Sequence, residues 1–243
     1  LRDDLAREQD KLVPESCRGT VRFVLGVEIS SIYKKNGRVR KVHNLVFAPD
    51  LETAGKINAR LGKIGNIRSD GRPILGLDSK VLLSILLEIS PEAYLIPANA
   101  WTPFFAVFGS QSGFDSLEEC FDELTPHIFA IETGLSSDPL MNWRISALDR
   151  LTLISNSDAH SPEKLARESN LLDAPLSYQG IFDAFRRRGN SKLVKTLEFF
   201  PEEGKYHWDG HRDCDESYPP EETIRRKGIC SKCRRPVTVG VLY

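Results

Sequence analysis

The segment Leu151-Thr152-Leu153-Ile154-Ser155-Asn156-Ser157-Asp158-Ala159-His160 carries the strongest indication of the fold. An apolar, β-prone run ends in small residues, and Asp158 and His160 follow two positions apart. In extended backbone, side chains two residues apart point to the same face, so we expect this carboxylate and imidazole to converge. Because α/β sheets and barrels place their active sites at strand C-termini, the pair predicts a metal-binding or acid–base site. The alternative is that Ser157-Asp158 only caps a helix beginning near Ser161.

Apolar strand-like runs and amphipathic helical runs alternate along the chain up to about residue 200. This order is typical of an α/β fold in which crossover helices join parallel strands. Asn36-Gly37 predicts a hairpin turn between the first two strands. The predicted strands are residues 22–30, 39–49, 94–99, 127–132, 151–154 and 193–200, and the predicted helices are residues 50–65, 80–89, 115–124, 140–148, a segment after Ser161 and residues 177–188.

Four further potential ligands lie within or at the ends of these strands. Glu28 follows a short apolar run, His43 interrupts an apolar strand, and Asn99 and Glu132 each end a strand. The alternatives are a solvated loop charge for Glu28 and a hydrogen-bonded core histidine for His43. In the loop after residue 66, Arg72 either holds a phosphate or forms a salt bridge with Asp70, and the salt bridge is our interpretation.

Composition describes an ordinary globular protein, with 40% apolar and 28% charged residues. The net charge of −1 excludes a uniformly basic nucleic-acid coat, although local basic patches remain compatible with it. No apolar segment approaches the ~20 residues needed to cross a bilayer, and no signal peptide opens the chain, so we expect a cytoplasmic protein without membrane contact. Because residue 1 is Leu, and the first twelve residues resemble the end of a helix, we expect N-terminal residues to be missing.

Composition changes after residue 200, which predicts a barrel domain at residues 1–200 and a small module at residues 201–243. Within this module, His211-x-x-Cys214 and Cys230-x-x-Cys233 form two pairs of ligands with knuckle-like spacing. Four such ligands predict a closed, structural zinc site, which a segment so poor in apolar residues needs in order to fold. His207 is an alternative to His211, and unpaired surface cysteines are the alternative to a metal site.

Several longer strings resemble the PHP-type metal-dependent phosphoesterases, and among them the endonuclease Q branch most closely. The resemblance runs from about Arg22 to Cys233 and rests on six strings. These are residues 27–28 (VE), 43–49 (HNLVFAP), 101–103 (WTP), 109–115 (GSQSGFD), 132–139 (ETGLSSDP) and 157–162 (SDAHSP).

The resemblance implies an irregular (β/α)7 barrel, here without its first strand, and a C-terminal zinc-binding part. It also implies nicking of DNA on the 5′ side of deaminated bases such as uracil and hypoxanthine, and at abasic sites. The implied active-site ligands of divalent Zn²⁺, Mn²⁺ or Mg²⁺ are Glu28, His43, Glu132, Asp158 and His160, with catalytic roles for Asp158, His160 and Glu132. Asn156 or Ser157 is expected to orient these ligands, and Trp101, Phe104 or Phe105 to stack on a flipped base.

This sequence departs from the family in two ways. The opening His-x-His strand is absent, and Asn99 occupies a position where the family has histidine. An amide oxygen binds transition metals much more weakly than imidazole, so this chain is expected to be short of metal and catalytically inactive. Two alternatives follow: a phosphoesterase acting on a small phosphate ester, and a DNA-binding homologue without catalysis.

Overall fold

The structure is a computed structural model that describes Lys11, residues 13–68 and residues 71–243. Its strands are β1 (Leu25–Lys35), β2 (Arg38–Ala48), β3 (Ile74–Leu75), β4 (Tyr94–Pro97), β5 (Ala130–Glu132), β6 (Thr152–Ile154), β7 (Ser169–Asp173), β8 (Lys192–Leu197), β9 (Asp209–His211) and β10 (Glu216–Tyr218). Its α-helices are α1 (Leu51–Leu61), α2 (Ser79–Ile89), α3 (Leu117–Phe121), α4 (Pro139–Asn142), α5 (Tyr178–Phe185) and α6 (Pro220–Arg225). The chain therefore has a mixed α/β fold.

The β1–β2 hairpin is the longest regular unit of the described chain. Asn36 and Gly37 connect the strands with φ values of 53° and 74°, the left-handed pair that a two-residue hairpin turn requires. The two strands pair antiparallel along their whole length, from Leu25 with Ala48 to Lys35 with Arg38. The predicted hairpin is therefore confirmed.

Strand pairing differs from the expected parallel sheet. The four-stranded sheet has the order β3-β1-β2-β4, and only its β1–β3 pair is parallel. β5 and β6 form a separate parallel pair, whereas β7 with β8 and β9 with β10 are antiparallel. No closed barrel is formed by the residues that the structure describes. The hairpin is the physical reason that β1 and β2 are antiparallel, because a two-residue turn can only join antiparallel neighbours.

Helix starts follow the capping residues in the sequence. Asp50, Asp78, Ser116, Asp138 and Ser177 each accept a hydrogen bond from a backbone N–H in the first turn of α1 to α5. α3 and α4 are much shorter than predicted, and the remainder of each segment forms a 3-10 turn.

The segment after residue 160 is where the sequence prediction was wrong. Ser161 begins only a three-residue 3-10 turn, Pro162–Lys164, and its side chain caps nothing. Strand β7, which no sequence pattern had indicated, follows directly. Asp158 itself has φ 46°, so the extended backbone expected between Asp158 and His160 is also wrong.

Two apolar clusters hold these elements together. The larger one packs α1, α2 and α3 against β1 and β2, and includes Leu82, Leu86 and Phe121. The smaller one centres on Phe182 of α5, whose ring lies 4.5 Å from that of Tyr94 on β4. Burying such side chains stabilises the fold by roughly 1.5–3 kcal/mol each. Both clusters lie beneath the strand ends that carry the candidate site residues.

Within the described chain, no helix combines the length and the apolar character that crossing a membrane demands.

Two glycine substitutions test the backbone assignments with opposite signs. Gly37→Ala places a Cβ at φ 74° and is expected to lower the free energy of unfolding by about 1 kcal/mol. Gly55→Ala lies within α1 with nothing within 4 Å of the new Cβ, and is expected to raise it by roughly 0.5–1 kcal/mol. Urea unfolding of both variants checks this, and equal signs would contradict the assignments.

Candidate active site and metal centre

The register of three strands brings Glu28, His43 and Arg72 together. Ser30 of β1 pairs with His43 of β2 and with Ile74 of β3. Because β1 and β3 are parallel, Arg72 and Glu28, each two residues earlier, lie side by side. Glu28 and Ser30 share one face of β1, so His43 faces the same side as Glu28.

This trio is closely hydrogen-bonded. The Glu28 carboxylate lies 3.0 Å from Nδ1 of His43 and 2.6 Å from Nη2 of Arg72. Nη1 of Arg72 lies 3.3 Å from Nε2 of His43. Burial raises the pKa of Glu28, but His43 and Arg72 together outweigh it and hold that pKa below its ordinary value. Asp70, with which Arg72 was predicted to pair, lies outside the described residues.

Glu132 lies at the end of β5 and is buried. Its carboxylate accepts hydrogen bonds from the backbone N–H of Asn99 at 3.0 Å and from the side-chain amide of Asn156 at 2.7 Å. Burial raises its pKa to about 7, with smaller contributions from the negative charges of Glu28 and Asp158. Glu28 and Asp158 are therefore near enough for their charges to affect Glu132, although neither forms a hydrogen bond with its carboxylate.

Asp158 and His160 lie at the exposed rim of the site. Nδ1 of His160 bonds the backbone carbonyl oxygen of Asp158 at 2.8 Å and lies 3.9 Å from its carboxylate. The His160 side chain is 78% exposed. Arg167 donates to the carbonyl oxygens of Ser157 and Asp158, which fixes the bend that replaces the expected extended backbone.

The atoms of this site that could bind a metal ion already contact other groups of the protein. Arg72 and Asn156 occupy oxygens of Glu28 and Glu132, and Asn99, with φ 49°, places its amide oxygen close to Gly134. Among the described residues, these side chains do not form a compact group of three ligand atoms. As arranged, they do not fit a resident metal ion.

The C-terminal segment presents a different arrangement. Single ligand atoms of His211, Cys214, Cys230 and Cys233 all lie within 4.8 Å of one another. β9 ends at His211 and the turn Arg212–Cys214 follows, so one ligand pair lies on a strand and turn of the small β9–β10 sheet. The hydrogen bond with Cys233 raises the pKa of Cys214 to about 11. This donor set fits a tetrahedral zinc ion.

His207, the alternative to His211, lies elsewhere. It is buried, and its Nδ1 lies 3.0 Å from the carbonyl oxygen of Ser136. This contact, together with the hydrogen bond from Tyr206 N–H to the Ser136 hydroxyl at 3.3 Å, ties the C-terminal segment to the loop after β5. The histidine thus connects the two parts of the chain.

Three aromatic residues were predicted to face a flipped base, and only one is free to do so. Trp101 donates to Asn142 at 2.7 Å and packs on Phe108, and the ring of Phe105 stacks on His43 at 4.7 Å. Phe104 is exposed and faces Tyr206.

Sequence reasoning missed two components of this region. The contact of Arg72 with Glu28 and His43 depends on the β1–β3 register, which a two-residue strand does not reveal in sequence. Ser155 donates to Glu168 at 2.8 Å and lies beside Glu198, and burial raises the pKa of both carboxyls. Glu198 lies near the end of a predicted strand, as Glu132 does, and that position was the available signal.

The ionisation of Glu132 is testable through stability. Since the folded-state pKa is about 7 and the ordinary value is 4.5, the folded protein retains a proton that the unfolded chain has lost. The free energy of unfolding of the wild type should therefore fall between about pH 4.5 and pH 7, by at most about 3 kcal/mol, relative to Glu132→Gln. Urea unfolding at several pH values measures this difference.

Exposed Glu202→Gln is the control for that titration. The difference in free energy of unfolding between Glu202→Gln and the wild type should not show the fall expected for Glu132 between about pH 4.5 and pH 7. A constant difference between wild type and Glu132→Gln across this range would contradict the environment assigned to Glu132.

Comparisons with known proteins place this geometry in context. No family model matches the sequence. An uncharacterized protein of Methanocaldococcus jannaschii is 31% identical over 150 residues, which cover 59% of this chain and 18% of that protein. The uncharacterized protein YqxK of Bacillus subtilis is 29% identical over 198 residues, which cover 79% of this chain and 47% of that protein.

Solved structures give the more informative match. The lesion-specific endonuclease PfuEndoQ from Pyrococcus furiosus superposes with a TM-score of 0.75 at 28% identity, over 92% of this chain and 53% of that one. Endonuclease Q in complex with a 27-mer duplex bearing an abasic lesion at the active site superposes with a TM-score of 0.79 at 27% identity, over 92% of this chain and 54% of that one. The chain spans about half the length of these structures and less than half of the curated relatives. By fold and by sequence, the chain is similar to endonuclease Q.

Proposed function

We propose that this chain carries the lesion-binding and phosphodiester-cleaving part of a DNA repair endonuclease of the endonuclease Q type. The observation that carries the proposal is the similarity over 92% of the chain to an endonuclease Q structure with an abasic lesion at its active site. The contact between Glu28 and His43, and the effect of the Glu28 and Asp158 charges on Glu132, support it. The substrate is DNA with an abasic site or a deaminated base, uracil or hypoxanthine.

In this proposal the arrangement is an incomplete PHP-type (β/α)7 barrel of residues 1–200, followed by a zinc module of residues 201–243. The parallel β5–β6 pair, with Glu132 and Asn156 following its strands, supports the barrel assignment. Asp158 and His160, exposed at the rim, are positioned to meet a DNA backbone. Glu28, His43, Asp158 and His160 would hold a divalent Zn²⁺, Mn²⁺ or Mg²⁺ ion only after rearrangement, and the ion would then supply a Lewis acid for such hydrolysis.

A cavity beside the C-terminal segment favours a nucleic-acid base over a small phosphate ester. This cavity of about 340 Å³ lies between Phe104 and the C-terminal segment, where Tyr206 and Trp208 line it together with Lys205 and Arg212. Aromatic faces stack on unpaired bases, and cations contact phosphates. Three other basic residues serve the fold: Arg40 is buried against Phe114, Lys35 pairs with Asp122, and Arg186 contacts Tyr94.

Duplex cleavage tests the proposal. With Mg²⁺, Mn²⁺ or Zn²⁺ added, the chain is expected to nick end-labelled duplexes at an abasic site, uracil or hypoxanthine, and to leave undamaged duplex intact. Glu132→Gln should reduce the nicking rate about 100-fold, because the variant replaces the carboxylate that accepts from Asn99 and Asn156 with a neutral amide. Glu202→Gln is the matched control and should cut like the wild type. Hydrolysis of a generic phosphomonoester alone would contradict the proposal.

A second candidate is lesion binding without cleavage. Asn99 in place of a family histidine and the commitment of Glu28 and His43 to Arg72 favour it. Fluorescence anisotropy with the same duplexes separates the two, since preferential binding of the abasic duplex without nicking supports this candidate. Nicking gained in Asn99→His would show that the missing imidazole is the cause.

The His211–Cys214–Cys230–Cys233 group is proposed to bind one structural Zn²⁺. Cys230→Ser should abolish zinc retention, measured by mass spectrometry of the metal content, and lower the melting temperature by about 10 °C, because metal binding contributes directly to folding. Cys17→Ser changes a cysteine outside the group and should do neither. Zinc retained by Cys230→Ser would contradict this site.

A further inference from the structure

Arg72 holds an unusual position, because its guanidinium lies between two side chains of the candidate metal site. Its Nη2 lies 2.6 Å from Glu28 Oε2, and its Nη1 lies 3.3 Å from His43 Nε2. The other imidazole nitrogen, Nδ1, lies 3.0 Å from Glu28 Oε1. Each of the three groups, the guanidinium, the carboxylate and the imidazole, thus contacts the other two.

The chemistry of arginine fixes the roles of the atoms in these contacts. A guanidinium carries only donors, so Nε2 of His43 accepts through its lone pair. Nδ1 then carries the proton and donates it to Glu28. A histidine that donates one N–H to a carboxylate and presents the other nitrogen outward is the arrangement that proteins use for metal ligation. Here the outward lone pair faces Arg72.

The guanidinium therefore uses the atoms that a divalent ion would need. One is the Nε2 lone pair of His43 and the other is an oxygen of Glu28, which are common ligand atoms for transition metals. All three side chains are at least two-thirds shielded from solvent, with exposures of 18% for Glu28, 12% for His43 and 31% for Arg72. The partial burial limits screening of these charges by water.

We propose that Arg72 is an internal cation that competes with divalent metal for the Glu28–His43 pair, so that binding of one excludes the other. The inference rests on the proposed function only in taking Glu28 and His43 as metal ligands. Arg72 neutralises the pair when no ion is bound and holds the histidine in its ligating orientation. A metal ion enters only when the guanidinium leaves.

The position of Arg72 in the chain is compatible with such an exchange. Its attachment to the sheet begins one residue later, where the carbonyl oxygen of Pro73 accepts from Ser30 N–H at 2.9 Å, and β3 follows. Gly71 precedes it with φ 80°. Arg72 thus precedes the short strand β3, and withdrawal of its guanidinium does not require β1 or β2 to move.

Metal titration of arginine variants tests the competition. Arg72→Ala and Arg72→Gln remove the guanidinium, and Arg68→Ala removes an exposed arginine from the same loop as the charge-matched control. Mn²⁺ binding is followed by electron paramagnetic resonance of the free ion, and total metal by mass spectrometry. Both Arg72 variants are expected to bind one Mn²⁺ at least about tenfold more tightly than the wild type and Arg68→Ala, since a charge-assisted hydrogen bond no longer has to be broken.

Two results locate the additional ion and decide the proposal. Adding Glu28→Gln to Arg72→Ala should abolish the gain, because it removes a charged ligand of the pair. Equal or weaker Mn²⁺ binding in both Arg72 variants, each shown to be folded by its melting curve, overturns the competition. A chain that gains the ion in Arg72→Ala yet never nicks lesion DNA upholds this inference and contradicts the proposed function.

Discussion

The buried carboxylate of Glu132 is the interaction on which the candidate site depends, because it joins the ends of three strands. Its oxygens accept from Asn99 after β4 and from Asn156 after β6, while the backbone oxygen of Glu132 accepts from Ala100. A carboxyl group removed from water is tolerated only where such donors replace the lost hydration. Strand-end geometry and the protonation of this group are therefore determined together.

Around this anchor, the described chain shows two cation sites of different character. The His211–Cys214–Cys230–Cys233 group has its potential ligand atoms gathered within 4.8 Å of one another. Glu28 and His43 already have a cation of the protein's own. The chain thus combines a site organised for a structural ion with a site whose charge is balanced internally.

That contrast bears on how a lesion-directed nuclease would be controlled. The carboxylates of Glu28, Glu132 and Asp158, when ionised, repel DNA phosphates unless a cation neutralises them. The guanidinium of Arg72 supplies part of that neutralisation without an ion, which is compatible with DNA binding that precedes cleavage. The substitution of Asn99 for histidine points the same way, since it weakens the site for transition metals and leaves the hydrogen bond from its backbone N–H to Glu132 intact.

Much of the fold could be predicted from the sequence, and the exceptions have physical reasons. Asn36-Gly37 specifies its hairpin, and the capping residues specify helix starts, because both are local effects. The bend at Asp158 is stabilised by Arg167, nine residues later, and β7 forms by pairing with β8, so neither is encoded locally. The candidate residues could be named from strand ends and resemblance. The role of Arg72 could not, because it follows from the register between β1 and β3.

The measurement that tests this account most directly is a crystal structure of the wild-type chain grown with Mn²⁺ and Zn²⁺, with anomalous diffraction used to locate the ions. The account predicts zinc among His211, Cys214, Cys230 and Cys233. It also predicts either the Arg72 guanidinium or an ion, and never both, against Glu28 and His43. An ion bound to that pair while Arg72 still contacts it, or Glu28, His43 and Glu132 facing separate surfaces, would contradict the account.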